Sequence, residues 1–170
     1  TRRSSDLMDK IIDPVDIAVL KQELSKDRFL RYTRKGGNEI YAVNVHNAPN
    51  VIREIGRLRE VTFRASGGGT GKELDLDSYD TSENCYDQLI VWSPEDEQII
   101  GGYRYILCSK VLNGNDDKLA LSTANYFQFE DEFVERYLPN TIELGRSWVQ
   151  PNFQPAVNPR KGLFALDNIW

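Results

Sequence analysis

The stretch Gln98-Ile-Ile-Gly-Gly-Tyr-Arg-Tyr-Ile-Leu107 decides the fold, because it is a long apolar strand pattern that contains an arginine. With the preceding apolar run Gln88–Trp92 it predicts a β-hairpin, closed by the turn residues Pro94-Glu95-Asp96-Glu97. Strand alternation allows two positions for Arg104. It lies either on a solvent face or, with Gly102 beside it, next to a space that a ligand would fill.

Apolar periodicity on both sides of the hairpin predicts further helices and strands. A helix is predicted from Asn47-Ala48-Pro49 to about residue 64, with Arg59 at the border of its apolar stripe. Asp13-Pro14 predicts the start of an earlier helix that fades near Phe29. The other predictions are strands over residues 39–45, around Tyr126–Phe129 and over Thr141–Gln150, a helix over Glu130–Leu138, an irregular loop over Pro151–Pro159, and a helix from Arg160 onward.

This order of elements predicts an α+β (mixed α/β) fold. A length of 170 residues is enough to bury a substantial core. We divide the chain into an N-terminal helix and strand (residues 1–44) and a core region (residues 45–170). Residues Leu163–Trp170 form an apolar helical pattern with nothing after it to pack on. We therefore expect the chain to be part of a longer protein.

Composition indicates a soluble globular chain, with 40 % hydrophobic and 28 % charged residues. No apolar run reaches the length of about 18 residues that a membrane-spanning helix needs. The net charge of −5 is uneven: residues 1–64 hold 13 Lys/Arg against 9 Asp/Glu, and residues 65–170 hold 8 against 17. The basic third is either an ordinary solvated surface or a surface for an acidic carrier protein or phospholipid head groups. The acidic total and the absence of a binding motif disfavour nucleic acid.

Metal chemistry has weak support in the sequence. Cys85, Cys108 and the one histidine, His46, do not have zinc-site spacing, which favours a reduced cytoplasmic protein with ordinary core cysteines. No export signal is visible at the start of the chain. We therefore expect a cytoplasmic protein without a metal.

The glycine-rich segment Ala65–Glu73 invites comparison with a phosphate-binding loop. That pattern needs Gly where this chain has Ser66, and Ser or Thr where it has Glu73. The segment also follows a predicted helix rather than a strand. We expect instead a mobile flap over a site.

Three aspartates, Asp75, Asp77 and Asp80, follow this loop. Their spacing misses the calcium-loop pattern, because Tyr79 takes the fifth position. A turn with a helix cap, and an ion-pair network with Arg59 or Arg104, are the other interpretations. We favour the ion-pair network, with a metal site third.

Glu143 is unusual because it lies within a predicted strand, between Ile142 and Leu144. A carboxylate in such a place is either a member of an ion pair or a proton acceptor. Strand alternation places Glu143 and Gly145 on one face, and Arg146 on the other face with Ile142 and Leu144.

Taken in chain order, the chemistry-bearing segments resemble a known family. They are Arg59 with Phe63, Asp75-Leu-Asp77-Ser-Tyr-Asp80, Gly102-Tyr-Arg104 and Glu143-Leu-Gly-Arg146. This pattern resembles the acyltransferase branch of the GNAT superfamily that makes N-acyl amino acids. The likeness is to the ornithine-lipid and glycine-lipid N-acyltransferases, often labelled hemolysin-like, and more loosely to the acyl-homoserine-lactone synthases. It covers roughly residues 45–170.

The resemblance implies a GNAT-like fold in which Glu143 marks the fourth core strand, after which the fold is truncated. It implies an enzyme that moves a fatty acyl group from acyl carrier protein or acyl-CoA to the amine of an amino acid such as ornithine or glycine. No tightly bound cofactor is implied, because the donor is a substrate. The implied partners are the carrier protein, the amino-acid acceptor, a membrane surface, and a second copy or partner chain that completes the sheet.

The resemblance also assigns roles to residues. Glu143 would accept the proton of the amine, directly or through a water, and Arg104 would hold the carboxylate of the amino acid. The acceptor pocket would be organised by Arg59, Asp75, Asp77, Asp80 and Arg146.

Two other functions remain open at this point. One is a small-molecule N-acetyltransferase that uses acetyl-CoA. The other is a non-catalytic interaction domain that keeps the GNAT-like fold. The expected location is the cytoplasm, including the periphery of the inner membrane face.

Overall fold

The computed structural model describes residues 8–112 and 119–159, which form one five-stranded antiparallel sheet with helices packed on it. The strands are β1 (Phe29–Tyr32), β2 (Glu39–Val43), β3 (Asp87–Ser93), β4 (Gln98–Leu107) and β5 (Ile142–Val149). The helices are α1 (Ile17–Glu23), α2 (Pro49–Ala65), α3 (Ser78–Thr81) and α4 (Asp131–Arg136), and short 3₁₀ turns include Thr123–Asn125 and Pro151–Phe153.

The spatial order of the strands is the same as their order in the chain, β1-β2-β3-β4-β5. The central hairpin of β3 and β4 agrees with the prediction, and its register pairs Gln88 with Arg104. On the other side of β4, Arg104 pairs with Gly145 and Ile106 pairs with Glu143. Because paired residues share a face, Arg104 and Glu143 lie on the same face of the sheet.

Helix α2 covers that face and supplies much of the core. Val51, Ile52, Ile55 and Leu58 are buried at helical spacing, as the sequence predicts, and pack with sheet residues such as Ile90. Arg59, predicted at the border of the apolar stripe, is fully buried. Two further apolar clusters complete the molecule. One lies on the opposite face around Val91, Ile100, Tyr103 and Phe153, and one lies beneath residues 119–138 around Tyr86, Ile106, Leu121 and Leu138.

The first helix begins later than the sequence predicts. Its N-cap is Asp16, whose side chain accepts a hydrogen bond from the backbone of Ala18 at 2.7 Å, whereas the prediction placed the cap at Asp13. Asp13-Pro14 is extended, and the backbone N–H of Val15 donates to Glu54 at 3.1 Å. Asp13 and Asp16 are both possible N-caps. The helix begins after Asp16 because its side chain is the one that accepts a hydrogen bond from the backbone of the first turn.

One strand was not predicted, and one strand prediction is wrong. The segment Phe29–Tyr32, at whose start we expected the first helix to fade, forms β1 by pairing with β2. Residues Tyr126–Phe129, predicted as a strand, are irregular, with Tyr126 and Phe127 exposed. Both errors concern short apolar runs, for which tertiary pairing overrides local preference. The two errors cancel in number, so the strand that carries Glu143 is the fifth in chain order both in the prediction and in the structure.

The remaining predictions fit with small shifts at the ends of elements. The helix over Glu130–Leu138 is α4 with a 3₁₀ turn behind it, and Pro151–Pro159 is irregular. Strand β2 belongs to the predicted N-terminal part (residues 1–44), and β3 belongs to the predicted core region (residues 45–170). The two strands pair, so both parts supply strands to one sheet. The helix predicted from Arg160 onward lies outside the described residues.

Over the part of the chain that the structure describes, no helix has the length and apolar character to cross a membrane.

Candidate functional site

Arg59 of α2 is the centre of a buried ion-pair network. Its Nε lies 3.2 Å from Asp75 Oδ2, and its Nη1 lies 3.0 Å from Asp80 Oδ1. All three side chains are no more than 1 % exposed. Buried charges are tolerated only when they are paired and hydrogen-bonded, and this arrangement meets that condition.

Arg104 joins the same network from β4. Its Nη1 donates to Asp77 Oδ1 at 2.7 Å and to Asp80 Oδ2 at 3.3 Å. The guanidinium also lies 5.3 Å and 5.2 Å from the ring centroids of Tyr79 and Tyr86. These distances fit cation–π contacts on two sides.

Arg146 reaches the network because β5 bulges. Between the pairs Gly102–Trp148 and Arg104–Gly145, β5 contains one residue more than β4, and Arg146 has a φ of 52°. Its Nη1 lies 3.3 Å from Asp75 Oδ2 and its Nη2 lies 3.7 Å from Asp77 Oδ2. Regular alternation placed Arg146 on the opposite face, and the bulge overturns that prediction.

The three aspartates therefore pair with three arginines, as the ion-pair interpretation predicts. Burial alone would raise the pKa of Asp77, but the hydrogen bond from Arg104 and the charges of Arg104, Arg59 and Arg146 outweigh it. The pKa of Asp77 therefore lies below its ordinary value. The aspartates face arginine side chains, and within residues 8–112 and 119–159 no group of three or more His, Cys, Asp or Glu side chains could hold a metal ion.

The cap interpretation of the same segment is also correct. Asp77 is the N-cap of α3 and accepts a hydrogen bond from the backbone of Tyr79 at 2.9 Å. Asp80 completes a capping box by accepting from the backbone N–H of Asp77 at 3.1 Å. The cap fixes both carboxylates in the positions that Arg59 and Arg104 require.

Two arginine nitrogens in this network are incompletely used. Arg59 Nη2 and Arg104 Nε are buried and have no hydrogen-bond partner among the described residues. Arg104 Nε faces Gly145, since a Cβ built on that glycine would lie 3.7 Å from it. An orphaned donor of this kind calls for an explanation, such as a water or a ligand atom.

Glu143 occupies a separate position on the same face and is 8 % exposed. Its Oε1 accepts hydrogen bonds from Tyr86 Oη at 2.6 Å and Ser122 Oγ at 2.7 Å, and its Oε2 accepts from Thr123 Oγ1 at 2.5 Å. The backbone N–H groups of Ser122 and Thr123 add contacts at 3.1 Å and 3.4 Å. Within the described part of the chain no lysine or arginine forms an ion pair with this carboxylate.

These donors keep Glu143 ionised. Burial alone would raise its pKa, but the hydrogen bonds from Thr123, Tyr86 and Ser122 outweigh burial and hold the pKa below its ordinary value. Conversely, burial and the bond to Glu143 raise the pKa of Tyr86, which therefore stays protonated. Tyr86 lies between the two parts of the site, since its ring faces Arg104 and its hydroxyl reaches Glu143.

The sequence did not predict the roles of Tyr86, Ser122 and Thr123. A usable signal was the Ser122-Thr123 pair just before a short turn, because hydroxyl side chains and free backbone N–H groups at such a place attract a carboxylate. The partner of that pair, Glu143, lies about twenty residues later, and local patterns do not show pairings over that distance.

The glycines of β4 do not create the space for a ligand that we predicted beside Arg104. A Cβ on Gly102 would lie 2.3 Å from the carbonyl oxygen of Leu89, and one on Gly101 would lie 2.4 Å from that of Trp148. Glycine is required at both positions because the backbones of the neighbouring strands approach closely. Over Gly145 a Cβ would make ordinary van der Waals contact with the Arg104 side chain, 3.7 Å from Nε and 3.8 Å from Cγ.

The glycine-rich loop is fastened to a carboxylate of its own chain. Glu60 of α2 is fully buried and accepts hydrogen bonds from Thr70 N at 2.9 Å, Thr70 Oγ1 at 2.6 Å and Gly71 N at 2.9 Å. Arg64 pairs with the same carboxylate at 2.8 Å. The loop amides that would cradle a phosphate are thus already occupied, which agrees with our rejection of a phosphate-binding loop. The mobile flap stays a prediction.

Comparison with known proteins finds sequences related to this chain. Residues 58–160, which include Arg59, the three aspartates, Arg104, Glu143 and Arg146, match the model of the acetyltransferase (GNAT) domain family. The chain is also 53 % identical over 163 residues to a glycine N(alpha)-acyltransferase of Phocaeicola vulgatus, covering 96 % of this chain and 50 % of the relative. It is 55 % identical over 163 residues to a glycine N(alpha)-acyltransferase of Bacteroides thetaiotaomicron, covering 96 % of this chain and 48 % of that relative.

The chain therefore spans about half the length of the curated relatives it matches. No solved structure matches the chain.

Proposed function

The chain belongs to the acetyltransferase (GNAT) domain family, and on that premise we propose that it is an N-acyltransferase acting on the amine of an amino acid. The observation that carries the proposal is Glu143, a carboxylate that is buried, ionised and held by two half-buried hydroxyl groups. A carboxylate in such a position can take up a proton that an attacking amine loses.

The proposed step forms one bond and breaks another. The neutral amine attacks the carbonyl carbon of an acyl thioester, an N–C bond forms and the C–S bond breaks. Glu143 takes up the one proton that the nitrogen loses and releases it to water, and the leaving thiolate takes up one proton from water. Because Glu143 is 8 % exposed, we propose that the proton reaches it through Ser122 Oγ, Thr123 Oγ1 or a water rather than by direct contact.

The acceptor that we propose is glycine, the acceptor in the names of the two relatives. Its carboxylate would accept a hydrogen bond from Arg104 Nε, the orphaned donor that faces Gly145. Because residue 145 is glycine, no side chain of this residue stands against Arg104 Nε. Arg59, Asp75, Asp77, Asp80 and Arg146 would hold Arg104 in place rather than contact the acceptor themselves.

We further propose that the donor is a fatty acyl thioester of acyl carrier protein or coenzyme A, used as a substrate and not as a tightly bound cofactor. Arg34, exposed in the turn between β1 and β2, and the exposed Arg31 and Lys35 beside it would form the surface for an acidic carrier protein. The same surface would support peripheral contact with a membrane, at the cytoplasmic side. A second copy or partner chain would complete the sheet at the open edge of β5.

The test uses the complete polypeptide that contains this chain, incubated with long-chain acyl carrier protein or acyl-CoA and pooled amino acids, with products identified by mass spectrometry. We expect N-acylglycine, and a loss of about 10²-fold or more in the acylation rate in Glu143→Gln. Gly145→Ala is expected to raise KM for glycine more than it lowers kcat, because its Cβ narrows the space beside Arg104. A folded wild-type protein that makes no N-acyl amino acid overturns the proposal.

One observation favours a second candidate, a non-catalytic GNAT-like interaction domain. All three arginines of the network are paired with aspartates, and Glu143 already accepts five hydrogen bonds, so the site is stable without a substrate. Under this alternative Glu143→Gln alters stability alone. A small-molecule acetyltransferase is distinguished by competition between acetyl-CoA and the long-chain donor.

A further inference from the structure

A groove lies on the surface formed by residues 119–134, next to the Glu143 position. Its volume is about 780 Å³, within the range of small-molecule sites. The floor is half-buried and apolar, made by Leu119, Ala124, Phe129 and Val134, whereas Asn125, Gln128 and Asp131 add a polar part to the lining. These residues pack against the apolar cluster that contains Tyr86 and Leu121, so the floor is continuous with the core.

Two aromatic side chains form the wall of this groove and face solvent. Tyr126 is 82 % exposed and Phe127 is 65 % exposed. A large aromatic side chain that stays in water does not gain the free energy that burying its apolar surface would give. Single exposed apolar residues are common, but two adjacent aromatics beside an apolar floor indicate a surface that something covers.

The position of the groove connects it to the candidate reaction centre. Ala124 of the floor belongs to the 3₁₀ turn Thr123–Asn125, and the preceding residues of this segment, Ser122 and Thr123, hold the carboxylate of Glu143. The near end of the groove is therefore one residue away from a hydroxyl that contacts Glu143. A long molecule in the groove would have one end beside that carboxylate.

The charges around the groove restrict what can occupy it. Asp131 lines it, and Glu130, Glu132 and Glu135 lie in the same helical segment, against one basic residue, Arg136, which pairs with Glu132. This acidic border disfavours an anionic membrane, or the body of the acidic carrier protein, as the occupant of the groove itself, because both carry the same sign of charge. An uncharged hydrocarbon chain has no such penalty and gains from the apolar floor.

We propose that this groove binds the fatty acyl chain of the donor thioester and of the N-acyl product. The proposal rests on the proposed acyl transfer and gives the chain of the substrate a location. The thioester end would lie beside Ser122 and Thr123, and the hydrocarbon would run over Leu119, Phe129 and Val134 between the rings of Tyr126 and Phe127. Chain-length preference would be set by this groove.

The experiment measures binding without turnover, using the complete polypeptide that contains this chain and the unreactive thioethers S-hexadecyl-CoA and S-butyl-CoA. We expect wild type to bind the hexadecyl compound more tightly. Tyr126→Ser and Phe127→Ser should each weaken hexadecyl binding about tenfold and leave butyl binding unchanged, since only the long chain reaches them. The matched control is Leu30→Ser, an exposed apolar residue of β1 that should change neither affinity.

Equal hexadecyl affinity in wild type and both groove variants overturns the proposal. So does a wild type that prefers neither compound. A change of sedimentation from dimer to monomer in Phe127→Ser would also overturn it, because a second copy of the chain would then be the occupant. The two proposals fail separately. If the groove variants lose hexadecyl affinity but the wild type makes no N-acyl product, the groove proposal stands and the reaction is rejected. If the wild type makes product and the groove variants keep its chain-length preference, the reaction stands and the groove proposal is rejected.

Discussion

Three arginines and three aspartates share one site, and four of these side chains are nearly inaccessible to water. Removing a charge from water is costly, so each of these groups depends on its partners. Asp80 illustrates the dependence: its two oxygens accept from Arg59, Arg104, Gln88 and the backbone of Asp77. Losing one member leaves the others buried and uncompensated.

Substitution of Arg59 tests this dependence. We expect Arg59→Met to lower the free energy of unfolding by about 3–5 kcal/mol, because Asp75 and Asp80 lose their partner inside the protein. The matched control is Arg53→Met on the same helix, which is exposed and should change stability by less than about 0.5 kcal/mol. Urea unfolding measures both. Similar effects of the two substitutions would contradict the account of the network.

The carboxylates also predict how stability depends on pH. The folded-state pKa values of Asp77 and Glu143 lie below their ordinary values of 3.8 and 4.5. Each therefore contributes stability that is fully present above the ordinary pKa and is lost as the pH falls through the folded-state value. We expect the difference in unfolding free energy between wild type and Glu143→Gln to be largest near neutral pH and to shrink below pH 4.5.

Urea unfolding of both proteins from neutral pH down to about pH 3 measures this difference. A difference that is constant over the range, or that grows in acid, would show that Glu143 is not stabilised as an anion. Asp77→Asn provides a second series, for which the loss begins at the lower ordinary value of 3.8.

At the scale of single residues, the sequence predicted that the charged residues of the network lie together. It did not predict which groups donate hydrogen bonds to Glu143. The network of Arg59, Arg104 and the aspartates followed from charges placed within apolar stretches. The donors to Glu143 did not, because they come from a distant segment.

Strand β5 shows how one extra residue changes an element. The bulge opposite Tyr103 turns the side chain of Arg146 from the face that alternation assigns to it toward Asp75 and Asp77. Sequence alternation cannot predict such a change, since a bulge shifts the period by one residue. The existence of β4 and β5, by contrast, followed directly from their apolar patterns.

Strand β4, which pairs with β5, requires glycine at position 102. A Cβ on Gly102 would lie 2.3 Å from the Leu89 carbonyl oxygen and 3.1 Å from Ile90 Cα, so β3 and β4 would have to separate. We expect Gly102→Ala to lower the free energy of unfolding by about 1–3 kcal/mol. Chemical denaturation measures the change.

The control for Gly102→Ala is Gly68→Ala, for which the nearest non-neighbouring atom lies 4.0 Å away. This substitution should change stability by less than about 0.5 kcal/mol. A Gly102→Ala protein as stable as Gly68→Ala would show that the strands accommodate the methyl group.

At the scale of the whole molecule, the described residues form one sheet in which β3 is central, β2 and β4 flank it, and β1 and β5 are at the edges. The order of helix, strand, helix, hairpin and final strand was predictable because apolar periodicity is strong in α2, β3, β4 and β5. The short segments Phe29–Tyr32 and Tyr126–Phe129 were not, because their structure depends on which neighbours they find. Tertiary contacts decide such segments.

This arrangement predicts a gradient of local stability. Backbone amides of β3 and β4 are paired on both sides and covered by apolar clusters, whereas β1 is short, with Leu30 and Tyr32 exposed. We expect hydrogen exchange to be slowest in β3 and β4 and faster in β1 by at least about tenfold. Exchange followed by mass spectrometry measures this, and equal protection of β1 and β3 would contradict it.

The strands lie in the sheet in the same order as in the chain, and this order affects how the sheet forms during synthesis on the ribosome. Each strand can pair with the strand that emerged just before it, so the sheet can grow as the chain is made. Arg59 differs from the strands because its partners are made after it. It emerges 16 residues before Asp75 and 21 residues before Asp80. Helix α2 therefore cannot seat its buried arginine until the segment Asp75–Asp80 has left the exit tunnel, and β3, β4 and β5 follow in the order in which they are translated.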